Sequence, residues 1–275
     1  MRIRYIFPLI LQFLIWIPTR LMLVVFGRMR IYGREKIKGV HGGVIFALNH
    51  SSELDPILIP ASWGVVSRFA PAFYVSRDSS FYNTSGWRQH IYGGRFFAAW
   101  GAYPAYVGQK EYPKILRHHV DILNHGKSLV VFPEGKKTRD GNIDQGKGGI
   151  VFLAHTCNVP IVPVAIRGHF KMSLLNFFLR QNTIRILYGT PISPAELALG
   201  ENPQYDDYKR ASQLVMDRIR SLYGELAHDA HTTQEGSEQL PQTASAPHNI
   251  LIPPKVLTPA PALARVRTSR DRRQP

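Results

Sequence analysis

Apolar positions along this chain follow two periods. Short, mainly apolar runs stand at Val44–Leu48, 128–132, 161–166 and 184–188. Runs of that length, bounded by turn residues, predict strands buried on both faces. Between them lie segments with helical spacing. Residues 113–124 carry apolar side chains at 115, 116, 120, 122 and 123, and Gly126 follows as a helix C′ residue. Residues 150–157 predict a short apolar helix after Gly148-Gly149. Residues 205–223 form the clearest amphipathic helix: Tyr208, Ala211, Val215, Ile219 and Leu222 share a face, and Gly224 is read as its end. Strands alternating with helices predict an α/β fold, a mixed, mainly parallel sheet covered by helices.

A different pattern precedes this. Residues 5–26 are apolar but interrupted by Pro8, Pro18 and Arg20. The uninterrupted parts, 9–17 and 21–26, fall short of the roughly 20 residues that cross a bilayer. A secretory signal begins in the same way, yet Arg28, Met29 and Arg30 stand where a small-residue cleavage site is required. The pattern predicts a membrane-binding segment of two short helices dipping into one leaflet, with Pro18 at the bend and arginines at the headgroups. A tilted span and buried core helices are the alternatives. After Gly224 the chain turns rich in Pro, Ala, Gln, Thr and Ser, which predicts a disordered tail with a basic end. The expected organisation is an anchor at 1–30, a folded domain at 31–224 and a tail at 225–275.

Charge narrows the choice of partner. The 275 residues carry 34 Lys+Arg against 19 Asp+Glu, a formal net charge of +15, so an anionic partner is expected. Residues 1–38 hold eight basic residues and one acid, and residues 255–275 hold six and one. These flanks supply 7 and 5 of the 15 charges, so the cations border the apolar segment and the tail. A nucleic-acid groove needs a central stripe instead. The expected partner is a membrane lipid surface, with no nucleic acid. The single cysteine, Cys157, excludes an intramolecular disulfide and a multi-cysteine zinc site.

Two loops carry candidate chemistry, each directly after a strand. The first runs from Asn49 to Pro56. His50 and Asp55 lie five apart across a turn, where a carboxylate on one imidazole nitrogen leaves the other free to take a proton. The plainer reading makes Asp55 a helix N-cap with Pro56 at N1. The second loop is Phe132-Pro133-Glu134-Gly135-Lys136-Lys137-Thr138-Arg139-Asp140-Gly141. Its cations can hold phosphate while Glu134 accepts hydrogen bonds from hydroxyls; the plainer reading is a solvated charged turn. The strand 159–165, bracketed by Pro160 and Pro163, reads as an edge or a strand start beside a cleft. The adjacent His118 and His119 point about 100° apart on a helix and make no metal pair, and Cys157 reads as a small buried residue. The aromatic residues between Trp63 and Tyr106 suit a core, an acyl tunnel or a membrane face.

Together these blocks resemble the glycerolipid acyltransferase family. Its N-H-x4-D block is met by Asn49, His50 and Asp55; its F-P-E-G block followed by small and basic residues is met by Phe132 to Arg139; its V-P-[IV]-[VI]-P-V block is met by Val159 to Val164. The resemblance covers roughly residues 31–190. It implies transfer of an acyl group from acyl-CoA or acyl-carrier protein to a lysophospholipid, most readily 1-acylglycerol 3-phosphate, at the cytosolic face of the inner membrane. His50 and Asp55 would be catalytic. Glu134, Gly135, Lys136, Lys137, Thr138, Arg139 and Lys110 would bind substrate, and neither a metal nor a further cofactor is implied. Two positions depart from the family: Val107 stands where its second block has an arginine, with Lys110 the nearest cation, and Lys137 replaces another arginine. The condensation-type acyltransferases use H-H-x3-D-G, which Asn49 and Pro56 do not match. A non-catalytic membrane binder has no need of the His50/Asp55 pair.

Overall fold

The buried apolar runs pair side by side and set the centre of the molecule. A computed structural model describes residues 3–64, 66–77, 99–105 and 111–238; Val107, Lys110 and the basic end of the tail lie outside the described residues. The chain divides into two compact units, Met1–Gly236 and Ser237–Pro275, and the fold below belongs to the first. Along the chain come α1 (Ile3–Val25), β1 (Arg30–Tyr32), β2 (Val44–Leu48), α2 (Asp55–Ser62), β3 (Ala72–Arg77) and β4 (Ala102–Ala105). Then follow α3 (Tyr112–Ile115), α4 (Arg117–Asn124), β5 (Ser128–Val131), α5 (Gly149–Cys157), β6 (Ile161–Arg167), α6 (Leu174–Phe178), β7 (Arg185–Tyr188) and α7 (Tyr205–Glu238).

The seven strands form one sheet in the order β1-β7-β6-β2-β5-β3-β4. All neighbours are parallel except β6 and β7, so β1 and β7 run opposite to the other five. Alternate side chains of β2 serve two cores. Val44, Phe46 and Leu48 pack with Leu58, Ile59 and Trp63 on one face. Ile45 and Ala47 pack on the other with Ile122 and Leu123 of α4, the α5 residues 150–154, and Val215, Met216 and Ile219 of α7. Helices cover both faces, as a largely parallel sheet requires.

Four sequence expectations change. The segment 113–124 is two helices, broken at Leu116 (φ −107, ψ 12). Of the two readings of the strand after Pro160, the edge fails, because β6 lies between β2 and β7, while the strand start holds, because β6 begins at Ile161. Ile161 N–H points to Ile192 O (2.9 Å), and two residues on, Pro163 has no N–H to offer in that direction. Pro163 there accepts from Gly189 N–H instead (2.8 Å), where β7 has already ended. The last helix runs past Gly224 to Glu238 because its apolar stripe continues: Leu226 is fully buried and clusters with Leu222, Ala165 and Leu187. Residues 225–238 are therefore helical.

The N-terminal segment is one helix, not two short ones. Pro8 and Pro18 both lie inside it. Its inward face is held along its length. Tyr5 Oη donates to Asp121 Oδ2 (2.9 Å), and Gln12 Nε2 donates to Ala72 O and Trp100 O (2.8 Å each). Trp16 Nε1 donates to Pro60 O (3.2 Å), Arg20 donates to Ala61 O and Trp63 O, and Leu23 is buried. The opposite face exposes Ile6, Phe7, Ile10, Phe13, Leu14, Ile17, Leu21, Met22, Val24 and Val25. The helix is long and apolar enough to cross a membrane. Bound to the domain from Tyr5 to Leu23, it lies along the domain and offers its apolar face outward.

The continuation of α7 is testable. Leu226→Ala is expected to cost about 2–4 kcal/mol in urea unfolding, the range for emptying a buried leucine site. A change below about 0.5 kcal/mol, as for an exposed residue, would mean that the helix stops docking at Gly224.

Candidate active site

The site forms where three neighbouring parallel strands, β5, β2 and β6, end. Asn49 fixes the exit of β2. Its side chain donates to Ile166 O (3.0 Å) and accepts from Ile166 N–H (2.8 Å), extending the β2–β6 ladder by one pair. The chain then turns through Ser51 and Ser52 into α2, whose first residue is Asp55.

Asp55 does not cap that helix; its carboxylate faces back into the turn. Oδ2 accepts from Ser51 N–H (2.7 Å), Ser52 N–H (2.9 Å) and the His50 ring at Nδ1 (2.8 Å). Oδ1 meets Nε2 of His169, which lies two residues beyond β6. Asp55 is fully buried and His169 is 1% exposed, while the His50 side chain keeps 20% of its surface. Burial pushes the Asp55 carboxyl up, but the hydrogen bonds from His169 and His50 and their charge outweigh it and hold it at about 2. Asp55 is therefore an anion. It selects the His50 tautomer with hydrogen on Nδ1 and leaves Nε2 bare. Among the described residues Nε2 has no hydrogen-bond partner, and the ring stacks on Phe132 (centroids 4.2 Å, 24°).

The second loop locks against the first. Glu134 is buried; its Oε1 accepts from His50 N–H (3.0 Å) and its Oε2 from Asp144 N–H (2.9 Å). Thr138 N–H donates to His50 O (2.8 Å). Burial pushes the Glu134 carboxyl above its ordinary range against the pull of those N–H groups. Each Glu134 oxygen accepts from one main-chain N–H, so the residue clamps the two loops together. Gly135 turns this loop with φ +67, and a Cβ there would also stand 2.7 Å from Lys147 Nζ. Thr138 Oγ1 donates to Asp140 Oδ1 (2.9 Å) inside the turn.

The loop's cations divide. Lys136 pairs with Asp144 (2.8 Å) and Lys137 with Glu53 (2.7 Å), all at the surface. Arg139 is exposed and has no ion-pair partner among the described residues. Lys147, which the sequence reading passed over, is likewise exposed and unpaired there. Lys110 lies outside the described residues. Elsewhere, His119 is buried, bonded at Nε2 to Tyr103 O (3.2 Å) and pushed down to about 4 by desolvation. Cys157 is half-buried, with its thiol pushed up to about 11 by burial, so it holds little thiolate.

Sequence reasoning missed His169. It sits alone after Gly168, 114 residues from Asp55. Only its place just past the end of β6, beside β2, could have drawn attention to it.

The geometry can be set beside known proteins. A sequence model of the family described as Acyltransferase matches residues 28–167. The chain is 24% identical over 198 residues to the probable 1-acyl-sn-glycerol-3-phosphate acyltransferase of Mycoplasma pneumoniae, a match covering 68% of each. It is 25% identical over 207 residues to the putative 1-acyl-sn-glycerol-3-phosphate acyltransferase acl-2 of Caenorhabditis elegans, covering 73% of this chain and 66% of that one. The crystal structure of the LPA acyltransferase PlsC from Thermotoga maritima aligns with a TM-score of 0.47 at 19% identity, covering 74% and 75% of the two chains. The family match spans both loops and stops two residues before His169.

His169 can be tested through stability. The folded pKa of Asp55 lies below the ordinary carboxylate value, so the ion contributes stability present above about pH 4 and lost as pH falls towards 2. His169→Leu removes the donor on Oδ1. The variant is expected to be less stable by about 2–3 kcal/mol near neutral pH, the worth of a hydrogen bond to a charged group. That deficit should shrink between about pH 4 and 2, and His169→Asn, which keeps a donor, should restore part of it. A deficit independent of pH in that window would show that His169 acts by packing alone.

Proposed function

This chain belongs to the acyltransferase family, and we propose that it is a membrane-bound lysophospholipid acyltransferase that converts 1-acylglycerol 3-phosphate to phosphatidate. The observation that carries this reading is the His50–Asp55 pair: one imidazole nitrogen is held by a buried anion and the other is open. In the reaction, His50 Nε2 takes the proton of the acceptor hydroxyl as that oxygen attacks the thioester carbonyl. Asp55 stabilises the imidazolium that forms. The tetrahedral intermediate then expels the thiolate, which takes the proton back from His50, leaving a new ester and a free thiol. The donor, acyl-CoA or acyl-carrier protein, is a substrate, and the reaction as written calls for no further cofactor. The acceptor supplies its own nucleophile, so no acyl-enzyme is needed.

The negative headgroup falls to the second loop. Arg139 and Lys147 are its cations without an ion-pair partner among the described residues, while Lys136 and Lys137 can exchange Asp144 and Glu53 for phosphate. Glu134 and Gly135 act here by shaping the loop, and Thr138 by tying it to His50. Val107, where the family places a cation, favours a second reading: an acceptor with less charge, a lyso-phosphodiester or a phosphate-free lyso-lipid. The outward face of α1, with Arg28 and Arg30 after it, supports contact with an anionic leaflet. In this reading the contact is with the cytosolic face of the inner membrane.

Purified protein in detergent, given a panel of lyso-lipids with each donor, separates these readings by mass spectrometry. Phosphatidate is expected as the main product from lysophosphatidate. His50→Ala is expected to lose at least 10²–10⁴-fold in kcat while staying folded. A folded His50→Ala protein with near-normal activity would sink the mechanism, and preference for an uncharged acceptor would move the assignment to the second reading.

A further inference from the structure

Exposed apolar side chains are not scattered over this protein. Among the described residues sixteen large ones are exposed, of which ten lie on α1 and four on α6 and the residue after it: Leu174 (78% exposed), Leu175 (67%), Phe178 (48%) and Leu179 (57%). Isolated exposed apolar residues need no explanation, but a cluster does. Here a short helix buries only Phe177 and turns its other large side chains outward. Ser173 holds its start, accepting from Asn176 N–H (3.0 Å), so the outward leucines belong to formed structure.

The α6 cluster is continuous with the face of α1. The Phe26 ring lies 5.9 Å from that of Phe177 and 5.2 Å from that of Phe178, directly after α1 ends at Val25. Around it stand Arg28, Lys171 and Arg180, all exposed. No Asp or Glu occurs from residue 145 to residue 195. An apolar patch with exposed cations beside it in the chain and no acid in its own segment matches the acyl–headgroup boundary of an anionic leaflet. A protein partner would have to offer both an apolar core and an acidic rim.

We propose that α6 is a second membrane-inserting element, with Leu174, Leu175, Phe178 and Leu179 entering the leaflet that α1 contacts and Lys171 and Arg180 resting on its anionic headgroups. This rests on the membrane contact of α1 proposed above. The same segment leaves the active site at His169 and reaches the surface five residues later at Leu174. A lipid acceptor held in that leaflet is thereby presented next to the loop that supports Asp55.

The test uses the full chain in a Cys157→Ala background, with one exposed residue at a time changed to cysteine and labelled with an environment-sensitive fluorophore: Leu175→Cys, Leu14→Cys on α1, and Glu201→Cys as a surface control. Vesicles contain phosphatidylethanolamine and phosphatidylglycerol, with or without a quencher in the acyl chains. Labels at 175 and 14 are both expected to brighten, shift to the blue and be quenched from within the acyl layer, while the label at 201 does none of these. Leu174→Glu with Leu175→Glu, both exposed, should lower vesicle partition about tenfold and leave the fold intact. A response at 14 without one at 175 overturns this proposal and keeps the α1 reading. Silence at both positions overturns both. A label at 175 that responds only when protein concentration is raised without lipid assigns the face to a second copy of the chain, and equally overturns the proposal.

Discussion

A single buried carboxylate organises the site. An ion of this kind pays several kcal/mol in lost hydration unless donors replace the water. For Asp55 the replacement is the Ser51 and Ser52 amides and His50 on one oxygen, and His169 on the other. Meeting that demand fixes the backbone. The chain must turn immediately after β2, enter α2 at Asp55, and bring the residue two beyond β6 back over the same carboxylate. The arrangement that makes the anion tolerable in the interior also points His50 Nε2 outward.

The sheet order makes this possible. β2 lies between β5 and β6, so the loops leaving all three strands converge. β5 delivers Phe132 beneath the imidazole and Glu134 behind its backbone. β6 delivers Ile166 to Asn49 and His169 to Asp55. The reversed strands β7 and β1 take no part in the chemistry. They hold the far side of the domain, where Arg30 N–H bonds Ile184 O (2.8 Å) and Ile184 N–H bonds Gly27 O (2.9 Å), fastening the end of α1 to the strand that follows α6. The apolar surface and the acyl-transfer site thus belong to one connected structure, joined where Arg167 at the end of β6 pairs with Arg185 at the start of β7.

Much of this was readable in the residues, for identifiable reasons. The central strands announced themselves because a strand buried on both faces is apolar at every position, as in β2 and β6. His50 and Asp55 were readable because they are local, five residues apart. The edges were not: β1 has three residues, two of them partly polar, and β4 contains Pro104, tolerated only because it pairs on one side. Gly224 looked like a helix stop because its low propensity is local, whereas Leu226 gains its burial from a strand far away in sequence. For the same reason nothing local shows that Glu134 would also accept from the Asp144 and His50 amides. His169 was hidden entirely: its partner is contiguous in space alone.

Asp55, by accepting from Nδ1–H, fixes His50 with a bare Nε2. This tautomer can be measured directly by nitrogen NMR of the imidazoles in ¹⁵N-histidine-labelled protein, with His50 assigned through His50→Gln. Neutral His50 is expected to carry its hydrogen on Nδ1, and Asp55→Asn to abolish this preference while the fold persists. A neutral His50 with its hydrogen on Nε2 in the wild-type protein would contradict the account, because that nitrogen could then take no proton from an acceptor hydroxyl.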